Sequence, residues 1–128
     1  VNWTDDPEET VLAALQFPKL TWIAWLDDTP VAAVGTIPTC PGVWSPWAFG
    51  TDDFRQVGLL LTRHVRRCML PMMFGTGHRA ETRSMEGHVD AHRWLESFGA
   101  RREGVHPGAG KNGETFVTYA IVRGRWAS

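Results

Sequence analysis

Cysteine, tyrosine and net charge are all scarce in this chain, with two cysteines, one tyrosine and a formal charge of −1 in 128 residues. Cys40 and Cys68 stand in unrelated contexts with no Cys-x-x-Cys spacing. They read as reduced thiols of a cytosolic protein, Cys68 as a small core residue. A near-neutral balance leaves no large basic field, so nucleic acid is not expected as a partner. The local cluster Arg63, Arg66 and Arg67 reads as a solvated helix face. There is no signal peptide, no low-complexity tract and no apolar run of membrane-spanning length, so the chain is expected neither to be secreted nor to enter a membrane. Residue 1 is Val1 rather than methionine, and an N-terminal strand is expected to be missing from the single domain that 1–128 would form.

What is present is a globular composition, 43% apolar and 21% charged, enough for one domain with a hydrophobic core. Seven tryptophans (3, 22, 25, 44, 47, 94 and 126) are many for this length. Tryptophan belongs to cores and interfaces, so some of these are expected to mark a contact surface.

Along the chain, Asp6, Pro7 and Glu9 give the punctuation of a helix start. Val11, Leu12 and Leu15 supply its apolar stripe and Pro18 its stop. Residues 20–38 read as two extended runs around a tight turn at Asp27, Asp28 and Thr29, an antiparallel hairpin. Pro38, Pro41 and Pro46 break the next stretch into a loop and a short strand near Val43 to Phe49. Thr51 is a plausible N-cap, with Asp52 and Asp53 complementing the dipole of the following helix. In that helix Val57, Leu60, Leu61, Val65, Cys68 and Met69 recur at helical spacing, and Pro71 is expected to end it. A turn and a strand near Arg79 to Ser84 follow, then a helix closed by Gly99, a strand in Ala100 to Val105, a glycine-rich loop and a β-branched last strand. The order predicts a mixed α/β domain around a central sheet.

The sequence His88-Val-Asp-Ala-His92 raises the question of a metal site. A helix turns about 100° per residue, so His88 and His92 share a face beside the stripe Ala91, Trp94, Leu95 and Phe98. Asp90 falls about 160° away from His92 and cannot complete a three-ligand set. The glutamate of a metalloprotease helix is also absent, since Val89 stands in its place. No metal is expected. The two histidines read instead as partly exposed residues at a helix start.

The element order and this helix resemble the GNAT superfamily of acetyl-CoA-dependent N-acetyltransferases. The superfamily's pattern Asn-x-x-Ala-x-x-x-Tyr-x-x-x-Gly-Phe aligns with His88, Ala91, Leu95, Gly99 and Ala100, of which the alanine and glycine match. Its cofactor motif, Gln/Arg-x-x-Gly-x-Gly/Ala, aligns with Arg55, Gln56, Val57, Gly58, Leu59 and Leu60. In such proteins the backbone of this turn holds the pyrophosphate of coenzyme A at a helix N-terminus. Arg55 and Gly58 fit, whereas Leu60 adds bulk and Asp52 and Asp53 add like charge. The resemblance implies a GNAT-like sheet of about six strands flanked by three to four helices. It implies acetyl-CoA held by Arg55, Gln56, Val57 and Gly58, and by Trp47, Ala48 and Phe49 as an added strand. A narrower likeness, carried by Trp22–Pro38, Pro46–Phe54 and Asp90–Ala100, is to small GNAT-like proteins of short-tailed bacteriophages of the internal virion protein A type.

Leucine at position 95 has no proton to give where many of these enzymes carry a tyrosine acid. The only tyrosine, Tyr119, lies in the last strand, where it reads first as a packed sheet residue. Glu81, His88 and Tyr119 are the catalytic candidates, with His78 a further possible base, and each also has a plain structural reading. Two functions follow as expectations. One is an N-acetyltransferase acting on an amine-bearing substrate, weakened by a degraded cofactor loop to the point where acetyl-CoA binding is lost or feeble. The other is a non-catalytic phage protein that keeps the fold and binds a virion or host protein, in the host cytoplasm or the virion.

Overall fold

The computed structural model describes residues 20–50 and 54–123. The expected helix between Asp6 and Pro18 and the expected N-cap at Thr51 to Asp53 lie outside them. Strands β1 (Thr21–Leu26), β2 (Thr29–Cys40), β3 (Val43–Gly50), β4 (Arg79–Met85), β5 (Arg101–His106) and β6 (Phe116–Val122) form one sheet. Their order is β1-β2-β3-β4-β6-β5. The β1–β2 hairpin turns at Asp27 and Asp28, with Asp27 at a φ of 55°, a left-handed position that aspartate tolerates better than most residues.

Between β3 and β4 the chain runs through α1 (Phe54–His64), a π-helical turn (Val65–Met69) and α2 (Leu70–Thr76) as one rod. The expectation that Pro71 ends this helix is corrected. The Leu70 N–H bonds back to the Val65 carbonyl, five residues earlier, and Pro71 falls in the first turn of α2. That is where a missing N–H costs least. Two members of the expected apolar stripe are corrected as well. Leu60 is 59% exposed and Cys68 is a free, exposed thiol, while Val57, Leu61, Val65 and Met69 are buried. The π-turn shifts the helical phase after His64 and so turns Cys68 outward. Leu60, one turn earlier, lies at the edge of the stripe.

The last helix, α3 (Val89–Ser97), is followed by Gly99 at a φ of 93°, the left-handed position that favours glycine after a helix. The described residues thus hold two helical rods, fewer than the three to four expected, against a sheet of the expected six strands.

Both rods cover the same face of the sheet. Ala24, Val34, Ala48 and Ala80 pack on Val57, Leu61, Val65, Met69 and Met73. Val117, Tyr119 and Ile121 pack on Leu70, Phe74, Leu95 and Phe98. Ala80 and Ile121 are direct cross-strand partners, so the two clusters are one layer. Trp94 donates its indole N–H to the Thr62 hydroxyl at 2.8 Å, and that hydroxyl donates to the Gly58 carbonyl at 2.8 Å, which ties α3 to α1. Arg66, one of the exposed arginines, reaches the Ser97 carbonyl at 3.0 Å and lies over the Phe98 ring.

Candidate functional site at the parting of two strands

β3 and β4 are the one parallel pair of the sheet among the described residues, and they pair only at Val43–Arg79 and Trp44–Ala80. The physical cause is legible in the chain. Gly42 directs its carbonyl at the start of β4, accepting from His78 and Arg79. By strand alternation Trp44, Pro46 and Ala48 direct their backbones the same way. Pro46 has no N–H to give, so the ladder stops there and the strands diverge.

A cavity lies on each side of the parting. On the helix side it is narrow, about 60 Å³, and apolar, lined by Ala48, Met69, Leu95, Phe98 and Tyr119 among others. On the face that neither rod covers, the open face among the described residues, it is about 600 Å³, with Arg79, Glu81, Arg83, Glu103, His106 and Thr118 among apolar residues on its walls. Pro46, Trp47 and Thr82 line both. The two cavities therefore border the same three residues where the strands separate, and Trp47 stands between them. Its indole is 7% exposed, rests against Phe49 with ring centroids 5.1 Å apart, and keeps Nε1 buried without a partner.

The expected site residues separate into three places. Trp47, Ala48 and Phe49 border the parting. Arg55, Gln56, Val57 and Gly58 form the first turns of α1, with Arg55 and Gln56 exposed and Val57 in the core. A Cβ built on Gly58 meets nothing within 4 Å, so protein packing does not demand a glycine there. Arg55 reaches Asp90 across to α3 at 3.6 Å, which brings the N-termini of both helices side by side.

His88 is the N-cap of α3, with its Nδ1 buried and unpartnered. Burial holds its imidazole below the ordinary histidine range, and the neighbouring His92 lowers it further. His92 corrects the expectation of a partly exposed residue. It is 8% exposed, its Nε2 lies 3.0 Å from the Met85 carbonyl, and its ring packs on Tyr119 at 5.1 Å. Periodicity placed it beside the stripe, and the sheet reaches far enough under α3 to cover it.

Glu81 and Tyr119 lie on opposite faces of the sheet. Tyr119 is buried beneath α3, its hydroxyl 3.5 Å from Glu96, and burial followed by that carboxylate's charge raises it above the usual phenol value. Glu81 faces the open cavity. Its Oε2 accepts from Arg79 at 2.8 and 3.2 Å, while Arg79 also grips both oxygens of Glu103. Those bonds, to Glu103 first and Glu81 second, raise the guanidinium further above its usual value. Nearby, His106 Nε2 and the Thr118 hydroxyl are 2.6 Å apart. Arg79, Glu103 and Thr118 escaped sequence reasoning. The only signal was their alternation along strands, which shows faces but not which face carries a cavity.

In sequence, neither a family model nor a curated protein matches the chain. In structure it is similar to many solved proteins. Ard1 from Thermoplasma volcanium superposes with a TM-score of 0.75 at 9% identity, over 89% of this chain and 77% of that one. A ribosomal-protein-alanine N-acetyltransferase from Brucella melitensis gives 0.70 at 10% identity, over 90% and 76%. A chain of the NatC complex bound to Gag peptide and CoA gives 0.72 at 12% identity, over 95% and 82%. The chain has the GNAT fold, that of the N-acetyltransferases.

Proposed function

We propose that this protein is an acyl-CoA-dependent N-acyltransferase that moves an acetyl group to an amine. The observation that carries the reading is the parting of β3 and β4, with an apolar slot on one side and a larger cavity lined by charged and apolar groups on the other. An opening through a sheet admits a long, thin chain from one side and a second reactant from the other, and holding the two together supplies much of the rate.

Fit to acetyl-CoA rests on several features of the chain. Trp47, Ala48 and Phe49 would hold the pantetheine arm, and the buried Trp47 Nε1 and His88 Nδ1 are polar atoms still lacking partners. The open space over Gly58 and the adjoining N-termini of α1 and α3 suit a pyrophosphate. Against tight binding stand Asp52 and Asp53, which add like charge before α1, and Leu60. When bound, the group supplies a thioester whose carbonyl carbon is open to an amine. This chain's residues orient the reactants. Leu95 offers no proton, and the buried Tyr119 is committed towards Glu96, so activity is expected to be slow.

Calorimetric titration with CoA tests the reading, using the chain and its Asp52→Asn, Asp53→Asn, Leu60→Gly variant. The variant should bind at least about tenfold more tightly, since two charges of the phosphate's own sign, just before α1 in the sequence, are removed. No heat from either protein at millimolar CoA would sink the proposal.

A second reading is a non-catalytic phage protein that binds a virion or host partner through the same fold. Ile23 and Trp25, 53% and 55% exposed on one face of the edge strand β1, favour a contact surface there. Co-sedimentation with virions that Trp25→Ala abolishes would support it. No helix among the described residues is long and apolar enough to cross a membrane.

A further inference from the structure

We propose that Arg83 docks the carboxylate of the acceptor, so that the acceptor is a small zwitterionic amine of the amino-acid class. The inference rests on the acyl-transfer reading and gives its second substrate a chemical identity.

Two guanidinium groups and two carboxylates line the open-face cavity, and they are unequally engaged. Arg79 is closed off, with its donors spent on Glu103 and Glu81. Arg83, four residues further along the same face of β4, makes no hydrogen bond or ion pair with any described residue and is exposed to the cavity. A guanidinium offers a planar fork of donors that matches a carboxylate in two parallel bonds. Glu81 lies between the two arginines. Its Oε2 is held by Arg79, and its other oxygen has no partner among the described residues. Residues two apart on a strand lie about 7 Å from each other, so Arg83 and Glu81 present a cation and an anion to a single small molecule.

The charge balance selects the ligand. The four charged groups cancel, so the cavity favours a molecule that carries both signs and no net charge. A phosphate dianion would meet one free cation and two carboxylates, and a simple alkylamine would leave Arg83 unpaired. Glu81 directly precedes Thr82, which lines both cavities. Arg83 follows Thr82 directly, so a molecule held by Glu81 and Arg83 spans the strand beside the parting, with its amine one residue from it.

Transfer then proceeds with its atoms accounted for. The ammonium gives one proton to Glu81, and the amine nitrogen attacks the thioester carbonyl carbon. The C–N bond forms and the C–S bond breaks, with the electron pair leaving on sulfur. The nitrogen's second proton neutralises the thiolate, and Glu81 returns the first to water. The product amide has lost its positive charge and now bears a net negative one. It no longer complements Glu81, which favours release.

Saturation-transfer NMR of the chain with the common free amino acids, followed by calorimetry on each that binds, tests the proposal. For each binder, its carboxamide and the amine lacking the carboxyl group are compared. At least one amino acid should bind, its carboxamide about tenfold or more weakly. Arg83→Gln should erase that difference, and Arg83→Lys should restore part of it. Equal binding of acid and carboxamide, an unchanged ratio in Arg83→Gln, or no amino acid binding at about 10 mM would each overturn the inference. CoA titration of the unaltered chain separates the two proposals. CoA binding without amino-acid binding fails the acceptor inference alone, and amino-acid binding without CoA binding fails only the acyl-transfer reading.

Discussion

Gly35→Ala tests the packing that fixes Trp47 between the two cavities. Gly35 pairs with Trp47 across β2 and β3. A Cβ at Gly35 would lie 2.5 and 2.8 Å from two atoms of the Trp47 indole and 2.7 Å from the Leu20 carbonyl oxygen. Two effects oppose each other. Replacing glycine in a strand interior stabilises by about 0.5–1 kcal/mol through the unfolded chain. Forcing a methyl into filled space costs about 1–3 kcal/mol, and one of the opposing atoms is backbone, which cannot swing aside. The clash should win by about 1–2 kcal/mol, lowering Tm by about 4–8 °C for a domain of this size. In a Trp47→Phe background the indole atoms are gone and only the Leu20 contact remains. The double variant should then lose about 0.5–2 kcal/mol less than the sum of the single changes. Urea titrations of the four proteins read the cycle directly. A Gly35→Ala protein as stable as its parent, or additivity within about 0.3 kcal/mol, would refute the argument.

Further outcomes follow from buried polar groups. His92→Leu fills much of the same volume and removes the Nε2 bond, while the Met85 carbonyl keeps the His88 N–H, so it should cost about 0.5–1.5 kcal/mol in urea unfolding; a neutral change would mean that water replaces the imidazole. His64 and His88 are both held below the ordinary value of 6.5 by burial. The unfolded chain therefore takes up protons at about pH 6.5 where the folded one does not, and the stability they contribute above that pH is lost as pH falls below it. The urea midpoint should drop between about pH 7.5 and pH 5.5, and a His64→Phe, His88→Asn variant should flatten that slope. A midpoint that holds or rises over this range would contradict the assignment.

The open face and the helix face of this sheet carry different chemistry, and the parting of β3 from β4 lies between them. Trp47 is central because it lines the cavities on both faces and keeps its indole nitrogen buried and unpaired. An inserted ligand would satisfy that nitrogen, so CoA binding and Trp47 fluorescence should change together in the same titration.

Sequence alone determined the local elements, because those follow from short-range rules. The hairpin at Asp27 and Asp28, the strand in Val43 to Phe49 and the Gly99 cap are set by turn chemistry and alternation. Pro46 announced a break, although only its place beside β4 turned that break into an opening. The mixed α/β class and its likeness to the GNAT superfamily came from element order and a few motif positions, and superposition bears out the fold. What the sequence left undecided depended on neighbours far along the chain. Pro71 lies inside a helical rod because a π-turn five residues long prepares the place for it. His92 is buried because β4 and β6 extend beneath α3. Arg79 and Arg83 look alike in sequence, and only the arrival of Glu103 from β5 closes the first and leaves the second open to the cavity. Periodicity fixes which side of an element a residue faces, whereas the partner waiting on that side is set by tertiary contacts.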